Sequence, residues 1–548
     1  MLRRADVLAQ LGSRAFDLLV IGGGIVGAGI ARDAAMRGLT VALVEQGDFA
    51  SGTSSKTSKL IHGGLRYLEQ GRLRLVFESV RERAVLRTIA PSLAHPLTLL
   101  LPIYEGASRA PWKIALGLGL YDVLAVGRRG VRTHRMLSAR RALALEPGLR
   151  LDGLRAAGLY ADCQMDDARL CLANILQAVH FGAVCANYVV VRQLLKANGR
   201  LCGAAGSDHL TGHSLEIRAT AVVNATGPWT DGVRQLSDVS SSPRLAPTKG
   251  VHLIVPRVAQ EALVVEARSD RRMLFLLPWG DYTLVGTTEA PVHGALEQLQ
   301  ASQEEVGYLL SEVNRALPGA HLDLDDVVAT FAGARPLLAF AGASTQASRE
   351  HRIEIDRWGL VSVMGGKYTT YRLMARQAVD ALVTQHRWTL DRCVTDQVSL
   401  LEAVHPVSLD HWQELTRGRD PDAVGRLLLR YGAGAIQILQ SLRRDPILAH
   451  PVCPHHEYLN AELLYAFQRE MACTLTDVLA RRTRMAWSAC QGLDALSTIS
   501  DMSQRHLGMP AAVMERQLDE YHRFLASGLV FRTTAMTRSA SSAVLHSR

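Results

Sequence analysis

One glycine-rich turn between an apolar run and a helical pattern constrains this chain more than any other feature. Phe16 to Ile21 is apolar and branched, and it stops abruptly at Gly22-Gly23-Gly24. Val26 to Arg37 then reads as a helix, and Leu39 to Val44 as a second strand closed by Glu45. Strand, glycine turn, helix, strand is a βαβ opening, which requires a parallel sheet with helices packed on its faces. Gly22, Gly24 and Gly27 satisfy G-x-G-x-x-G: a tight turn, close backbone approach to a diphosphate, and close helix–strand packing. The helix N-terminus offers N–H groups and a positive dipole end to that anion. A carboxylate at Glu45 suits ribose hydroxyls and opposes a 2′-phosphate, so FAD or NAD fits and NADP does not. The strand Ala221 to Ala225, running into Thr226-Gly227-Pro228-Trp229, lets the chain pass close beneath such a dinucleotide.

The rest of the chain must be housed in more than one domain, because 548 residues exceed what one core usually holds. Hydrophobic residues at 48% and charged residues at 21% exclude disordered and collagen-like classes. The +9 net charge is mild for this length; it suits an anionic metabolite or membrane surface and gives no case for nucleic acid. The eight cysteines form no CxxC pair, and His455-His456 behind Pro454, near Cys453, lack a recognised ligand spacing, so no metal is expected. No stretch has the length of apolar sequence that a spanning helix needs.

From Lys249 to Thr288, short alternating runs divided by Pro256, Pro278 and Gly280-Asp281 predict antiparallel sheet, inserted into the first domain. Beyond Trp388 the pattern is helical, with Leu475–Cys490 among the expected helices. The expected division is a discontinuous nucleotide domain over 14–75, 155–245 and 330–387 and a substrate domain over 76–154 and 246–329. A helical C-terminal domain over 388–525 and a disordered tail over 526–548 complete it.

A second group of residues is basic and sits in glycine or proline contexts. His62-Gly63-Gly64-Leu65-Arg66-Tyr67 places an imidazole and a cation beside a backbone able to pack on a flat ligand. Lys249 precedes Gly250, Arg335 precedes Pro336, Lys367 follows Gly365-Gly366, and Arg349 is a further candidate. Together they predict a cationic pocket for a small anion, with Arg as a bidentate fork and Lys as a point charge. Helix-end N–H groups after Gly365-Gly366, near Thr369, could receive negative charge from a reduced flavin.

These motifs, with Ser58-Lys59-Leu60-Ile61-His62 and Leu475-Thr476-Asp477 through Arg481-Arg482-Thr483, resemble the aerobic, FAD-dependent glycerol-3-phosphate dehydrogenases over roughly residues 15 to 525. The resemblance implies a glutathione-reductase-type FAD domain of α/β architecture, an antiparallel substrate domain and a helical C-terminal domain. It implies oxidation of sn-glycerol 3-phosphate to dihydroxyacetone phosphate, with electrons passed to ubiquinone or a related quinone. It places Gly22, Gly24, Gly27, Glu45, Thr53, Ser54 and Lys59 in the FAD cradle, joined by Gly227, Gly365, Gly366 and Thr369. Arg66, Tyr67, Arg335, Arg349 and Lys367 would face the substrate, joined by Lys249. His62, Arg335 and Lys367 form the expected catalytic set, with His62 as first choice of base and Lys367 as its rival.

FAD is expected to be non-covalent. The protein is expected on the inner face of the cytoplasmic membrane, peripherally held, with homodimerisation left open. The membrane contact is expected at Leu99–Val126 or at Arg481, Arg482 and Arg484. Val26 and Tyr368 depart from the family pattern without removing an expected catalytic group. Competing readings are a glycerol 3-phosphate oxidase reducing O2, a flavoenzyme for another hydroxy or amino acid, and a flavin-bound scaffold without turnover.

Overall fold

The structure, a computed structural model, describes residues 3–69, 71–125, 133–339, 350–400 and 409–532. The glycine turn separates the strand Ala15–Ile21 from the helix Ile25–Met36, and Val41–Val44 follows as the second strand. Ala15–Ile21 pairs in parallel with Val41–Val44 on one side and Ser214–Asn224 on the other. Val361–Gly365 extends the sheet beyond Ser214–Asn224, and Val184–Ala186 extends it beyond Val41–Val44. The helices Ile25–Met36, Asp167–His180 and Tyr371–His386 bury their apolar sides in one core against this sheet.

The second sheet is larger. Its order is Ala290–Pro291, Thr248–Pro256, Tyr282–Gly286, Met273–Trp279, Ala262–Glu266, Ala94–Tyr104, Leu154–Met165 and Leu60–Ile61. Ala329–Arg335 pairs with Thr248–Pro256, and Arg135–Ser138 with Leu154–Met165. Strand alternation decides what each face does. Along Thr248–Pro256, Val251, Leu253 and Val255 pack with Val306, Leu309 and Val313 of the helix Gln303–Ala316. His252 and Ile254 point to the opposite face. That helix begins in a capping box in which Ser302 and Glu305 satisfy each other's backbone N–H groups.

Sheet membership moves the expected domain limits. Leu60–Ile61, most of Leu154–Met165 and most of Ala329–Arg335 fall in ranges assigned by sequence to the nucleotide domain, yet they pair in the second sheet. Pairing partners are set by distant segments, which periodicity within one strand does not report.

The C-terminal region is helical, but one expected helix is absent. Leu475–Cys490 is broken into Leu475–Asp477, a π turn over Val478–Arg482 and the short helix Met485–Trp487. Thr483 is extended, and its hydroxyl donates to Val478 O at 2.9 Å, stopping the helix. The expected disordered tail also starts too early. The helix Ala511–Ser527 crosses its boundary, and Phe531 is buried in the second sheet's core. An aromatic side chain with that much apolar surface to bury orders the residues before it. Residues 533–548 of that expected tail lie outside the described residues.

Candidate active site

One cavity of about 840 Å³ runs from the glycine turn to the inner face of the second sheet. Its first end is built by the βαβ unit. Gly22 has φ +110°, and a Cβ there would stand 2.6 Å from Ala225 O; a Cβ on Gly27 would stand 1.9 Å from Gly22 O. Side chains at either position would wedge the turn open, so the backbone itself lines the cavity at Gly22 and Gly24. Glu45 closes this end. Its two carboxylate oxygens accept from Gly23 N at 2.7 Å and Gly47 N at 2.9 Å. Burial pushes its carboxyl up, and those N–H groups act against that. Ser54 Oγ accepts from Ile25 N at 2.9 Å and so takes one helix N–H that the sequence reading left for an anion. Thr53 Oγ1 donates to Ala334 O at 2.6 Å, joining this loop to the second sheet.

At the other end the cavity is lined by His62, Gly64, Tyr67, Arg335, Gly365, Gly366, Lys367 and Thr369. Lys367 Nζ lies 3.7 Å from the centre of the Tyr67 ring and donates to Ser79 Oγ at 3.2 Å. This is a cation held against an aromatic face, with its position fixed from two sides. Arg335 Nη2 donates to Thr287 Oγ1 at 2.9 Å and Thr288 O at 3.1 Å. Gly250 makes room for it: a Cβ there would meet Arg335 Nη2 at 2.4 Å. Gly227 lines the cavity beside Thr226, Pro228 and Trp229, following the segment Ala225–Thr226 that packs against Gly22.

Two expected site residues are turned elsewhere. Lys249 does not line the cavity; its Nζ pairs with Glu305 at 2.7 Å and donates to Gln300 O at 3.1 Å. The reason is strand parity, since Lys249 shares its face with Val251 while Gly250 and His252 face the cavity. Lys59 is buried behind the cradle, where its Nζ binds Asp167 Oδ1 and Ser55 O, both at 2.6 Å. It fixes the loop without lining the cavity. Arg66 opens the short helix Arg66–Glu69, its side chain lying outside the described residues, as does all of Arg349.

Sequence reasoning also passed over several residues. His252 lines the cavity, stacks on Phe331 at 4.9 Å and shares a 2.8 Å hydrogen bond between Nε2 and Ser58 Oγ. Burial, then Arg335 and Lys59, drive its pKa well below the ordinary imidazole value, so its ring is neutral. Period-2 alternation from Gly250 was the signal that could have found it. Lys56 lines the cavity with its pKa pushed down to about 8 by burial and by Arg481. Behind His62, Gly63 N donates to Tyr121 Oη at 2.8 Å and Asp162 Oδ1 at 3.2 Å. Arg83 pairs with Asp162 beneath them, a buried network that fixes the backbone carrying His62 and Gly64.

Comparison with known proteins decides the family. A family model described as FAD dependent oxidoreductase matches residues 17–372, and one described as the C-terminal domain of alpha-glycerophosphate oxidase matches 366–513. Glycerol-3-phosphate dehydrogenase 2 of Mycobacterium tuberculosis is 40% identical over 532 residues, covering 95% of this chain and 89% of that protein.

The chain belongs to the FAD-dependent glycerol-3-phosphate dehydrogenase family.

Glycerol-3-phosphate dehydrogenase of Synechocystis is 37% identical over 543 residues, covering 95% of this chain and 98% of its own length. The solved glycerol-3-phosphate dehydrogenase of Bacillus halodurans, complexed with FAD, shares the fold at TM-score 0.79 and 29% identity, covering 96% of this chain and 97% of that one. The protein is therefore an oxidoreductase, and FAD is its cofactor. The cavity fits that group: backbone at the glycine turn, an acid at the ribose end, and cations at the far end.

Proposed function

We propose that this flavoenzyme oxidises sn-glycerol 3-phosphate to dihydroxyacetone phosphate and hands the electrons to a quinone at the inner face of the cytoplasmic membrane. The observation that carries the reading is that two cations, Arg335 and Lys367, line the wall of one dinucleotide cavity, inside a chain of this family. Bound FAD supplies a hydride acceptor for the substrate's C2 carbon.

The chain's own residues do the rest. Arg335 and Lys367 stabilise the oxygen as negative charge develops, because both are held by protein contacts before substrate arrives. His62 takes the hydroxyl proton, its backbone fixed by Thr369 Oγ1 at 3.3 Å and by the Gly63 network. His252, with its pKa driven far down by burial, Arg335 and Lys59, is a weaker proton acceptor than an ordinary imidazole and serves as a hydrogen-bonding wall. Arg66 and Arg349 hold the phosphate, a role that rests on the family resemblance. Non-covalent attachment of FAD, like the phosphate role of those arginines, rests on the family resemblance.

The quinone and membrane parts of the reading rest on the helix Pro111–Ala125. No helix among the described residues is long and apolar enough to cross a membrane. On this helix Trp112, Leu116 and Val123 are 65%, 68% and 66% exposed, whereas Leu118 and Tyr121 are buried. Lys113, Ile114 and Gly117 line the cavity, so an apolar surface stands beside its opening. The alternative apolar run, Leu99–Leu101, is a buried strand segment. Arg481 and Arg482 are taken up by ion pairs with Asp48 and Asp477, and Arg484 pairs with Asp166 at 3.0 Å, so these arginines support a membrane contact less than the helix Pro111–Ala125 does.

The test is an anaerobic mixing experiment with glycerol 3-phosphate, followed by separate re-oxidation with a short-chain ubiquinone and with O2. Flavin bleaching and fast quinone re-oxidation are expected. No bleaching refutes the substrate; re-oxidation by O2 that outpaces the quinone makes the protein an oxidase. Unchanged bleaching rate and pH profile in His62→Gln would remove the histidine as base. Yellow colour remaining on acid-precipitated protein would refute non-covalent FAD.

A further inference from the structure

A cluster of metal-type side chains lies outside the cavity. Cys453 ends the strand Pro451–Cys453 and is paired directly with His456, the first residue of His456–Leu459, across a turn of Pro454 and His455. Cys490 reaches the same place from the segment that follows Met485–Trp487. The ligand atoms of Cys453, His456 and Cys490 all lie within 4.8 Å of one another. His456 Nε2 stands 3.4 Å from Cys490 Sγ and 2.9 Å from Ser488 Oγ. Ser488 Oγ donates to Met485 O at 2.7 Å and lies 3.5 Å from Cys490 Sγ. Cys453 is buried, and the other two are half-buried.

Those distances suit a tetrahedral cation with thiolate and imidazole ligands. Zinc bonds of about 2.3 Å to sulfur and about 2.0 Å to nitrogen put the two ligand atoms roughly 3.5 Å apart. Two soft ligands and one imidazole select zinc over magnesium or calcium.

We propose that Cys453, His456 and Cys490 bind one zinc-class divalent cation in a structural site. A water would complete the tetrahedron, and Ser488 Oγ, 2.9 Å from His456 Nε2 and 3.5 Å from Cys490 Sγ, is near enough to hydrogen-bond it. Binding releases the two thiol protons to solvent. Sequence spacing misses this site because the hairpin supplies only two ligands and the third comes from a distant segment.

The location gives the metal a task. Ala489 N donates to Tyr282 Oη at 2.7 Å, and Gln491 Nε2 donates to Val328 O at 3.0 Å. The segment carrying Cys490 is thus where the helical C-terminal region meets the substrate sheet. A cation would fasten the 451–459 hairpin to that seam. None of the three ligands lines the dinucleotide cavity, so the site can be tested apart from turnover.

The experiment uses the flavin-loaded full chain, purified under thiol reductant without chelator, with metal content measured by mass spectrometry and then after exchange with Co(II). About one zinc per chain is expected, together with a thiolate-to-cobalt charge-transfer band and tetrahedral visible bands in the exchanged protein. Cys453→Ala and Cys490→Ala should each lower metal content about tenfold while flavin content stays at the wild-type level. Metal below about 0.1 per chain after zinc loading and desalting overturns the proposal. So does a cobalt form lacking the thiolate band, metal content unchanged in both variants, or a Cys453–Cys490 disulfide in the thiol-purified protein. Because the cobalt spectrum is read on wild-type protein, it decides the matter even if both variants misfold.

Discussion

Asp48 and Arg482, from opposite ends of the chain, form a buried bidentate pair, with Nη1 2.6 Å from Oδ2 and Nη2 2.8 Å from Oδ1. Arg481 Nε also donates to Asp48 Oδ2, and Asn187 Nδ2 donates to Oδ1 at 3.0 Å. Asp48 lies just past Glu45, so the C-terminal region braces the loop that closes the nucleotide end of the cavity. Removing one partner would leave a buried charge unmatched. Asp48→Asn should cost about 3 kcal/mol in denaturant unfolding and weaken FAD retention. Burial pushes the Asp48 carboxyl up, but Arg482 and Arg481 outweigh it and hold the group at about 2. Its contribution is therefore complete above the unfolded value near 3.8 and is lost as pH falls through about 2. The gap between wild type and Asp48→Asn should narrow over that window; a pH-independent gap would contradict the pairing.

Lys56 carries the opposite linkage. With its pKa at about 8 in the folded protein and 10.5 as the ordinary value, its charge is a burden on folding below pH 8. That burden shrinks as pH rises from about 8 and vanishes above 10.5, because the unfolded chain holds the proton longer. Flavin-free Lys56→Met should be more stable than wild type at pH 7 by on the order of 1 kcal/mol, with convergence near pH 10.5. A variant less stable than wild type at pH 7 would refute this.

Strand parity separates two neighbours. Lys249→Ala should change kcat/KM for glycerol 3-phosphate by less than about twofold, since its amine pairs with Glu305 away from the cavity. Gly250→Ala should lower kcat/KM about tenfold or more, because its Cβ displaces the Arg335 guanidinium. Steady-state kinetics on flavin-loaded protein would show the reversal if Lys249 were a substrate ligand.

Lys367 is predicted to be irreplaceable by arginine. Lys367→Met should lower kcat/KM by about 10²–10³-fold, and Lys367→Arg should recover little of it. A guanidinium is longer and spreads its charge, so it does not return a point charge to the spot that Lys367 Nζ holds 3.7 Å from the Tyr67 ring centre and 3.2 Å from Ser79 Oγ. Full activity in the arginine variant would show that charge alone suffices there.

Membrane attachment is checked on exposed positions only. Leu116→Ser with Val123→Ser should lower co-sedimentation with anionic liposomes, with flavin content preserved, because both side chains face solvent. Two buried leucine-sized groups are worth about 3 kcal/mol at an interface, enough for a loss well over tenfold. Leu118→Ser is a folding control, since Leu118 is fully buried. Equal binding by the folded double variant would exclude this helix.

Local sequence determined the nucleotide end of the protein. The strand, glycine turn and helix over Ala15–Met36 are fixed by φ requirements and by contacts between near neighbours, as the Gly22–Gly27 approach shows. The helix Tyr371–His386 was legible for the same reason: its apolar spacing follows one helical period. The orientation of Lys249 was within reach too, had the alternation from Val251 been applied backward.

Tertiary structure alone decided the rest. Arg481 and Arg482 look like solvated surface charge until Asp48 is brought to them, and they sit in the π turn that interrupts the helix expected over Leu475–Cys490. The sheet to which Leu154–Met165 belongs depends on Ala94–Tyr104, a partner chosen by long-range hydrogen bonding. Cys490 joins Cys453 and His456 only through the packing of the C-terminal region. In each case the deciding energy comes from desolvated pairs whose members are distant in sequence, and no pattern within one segment records which partner will arrive.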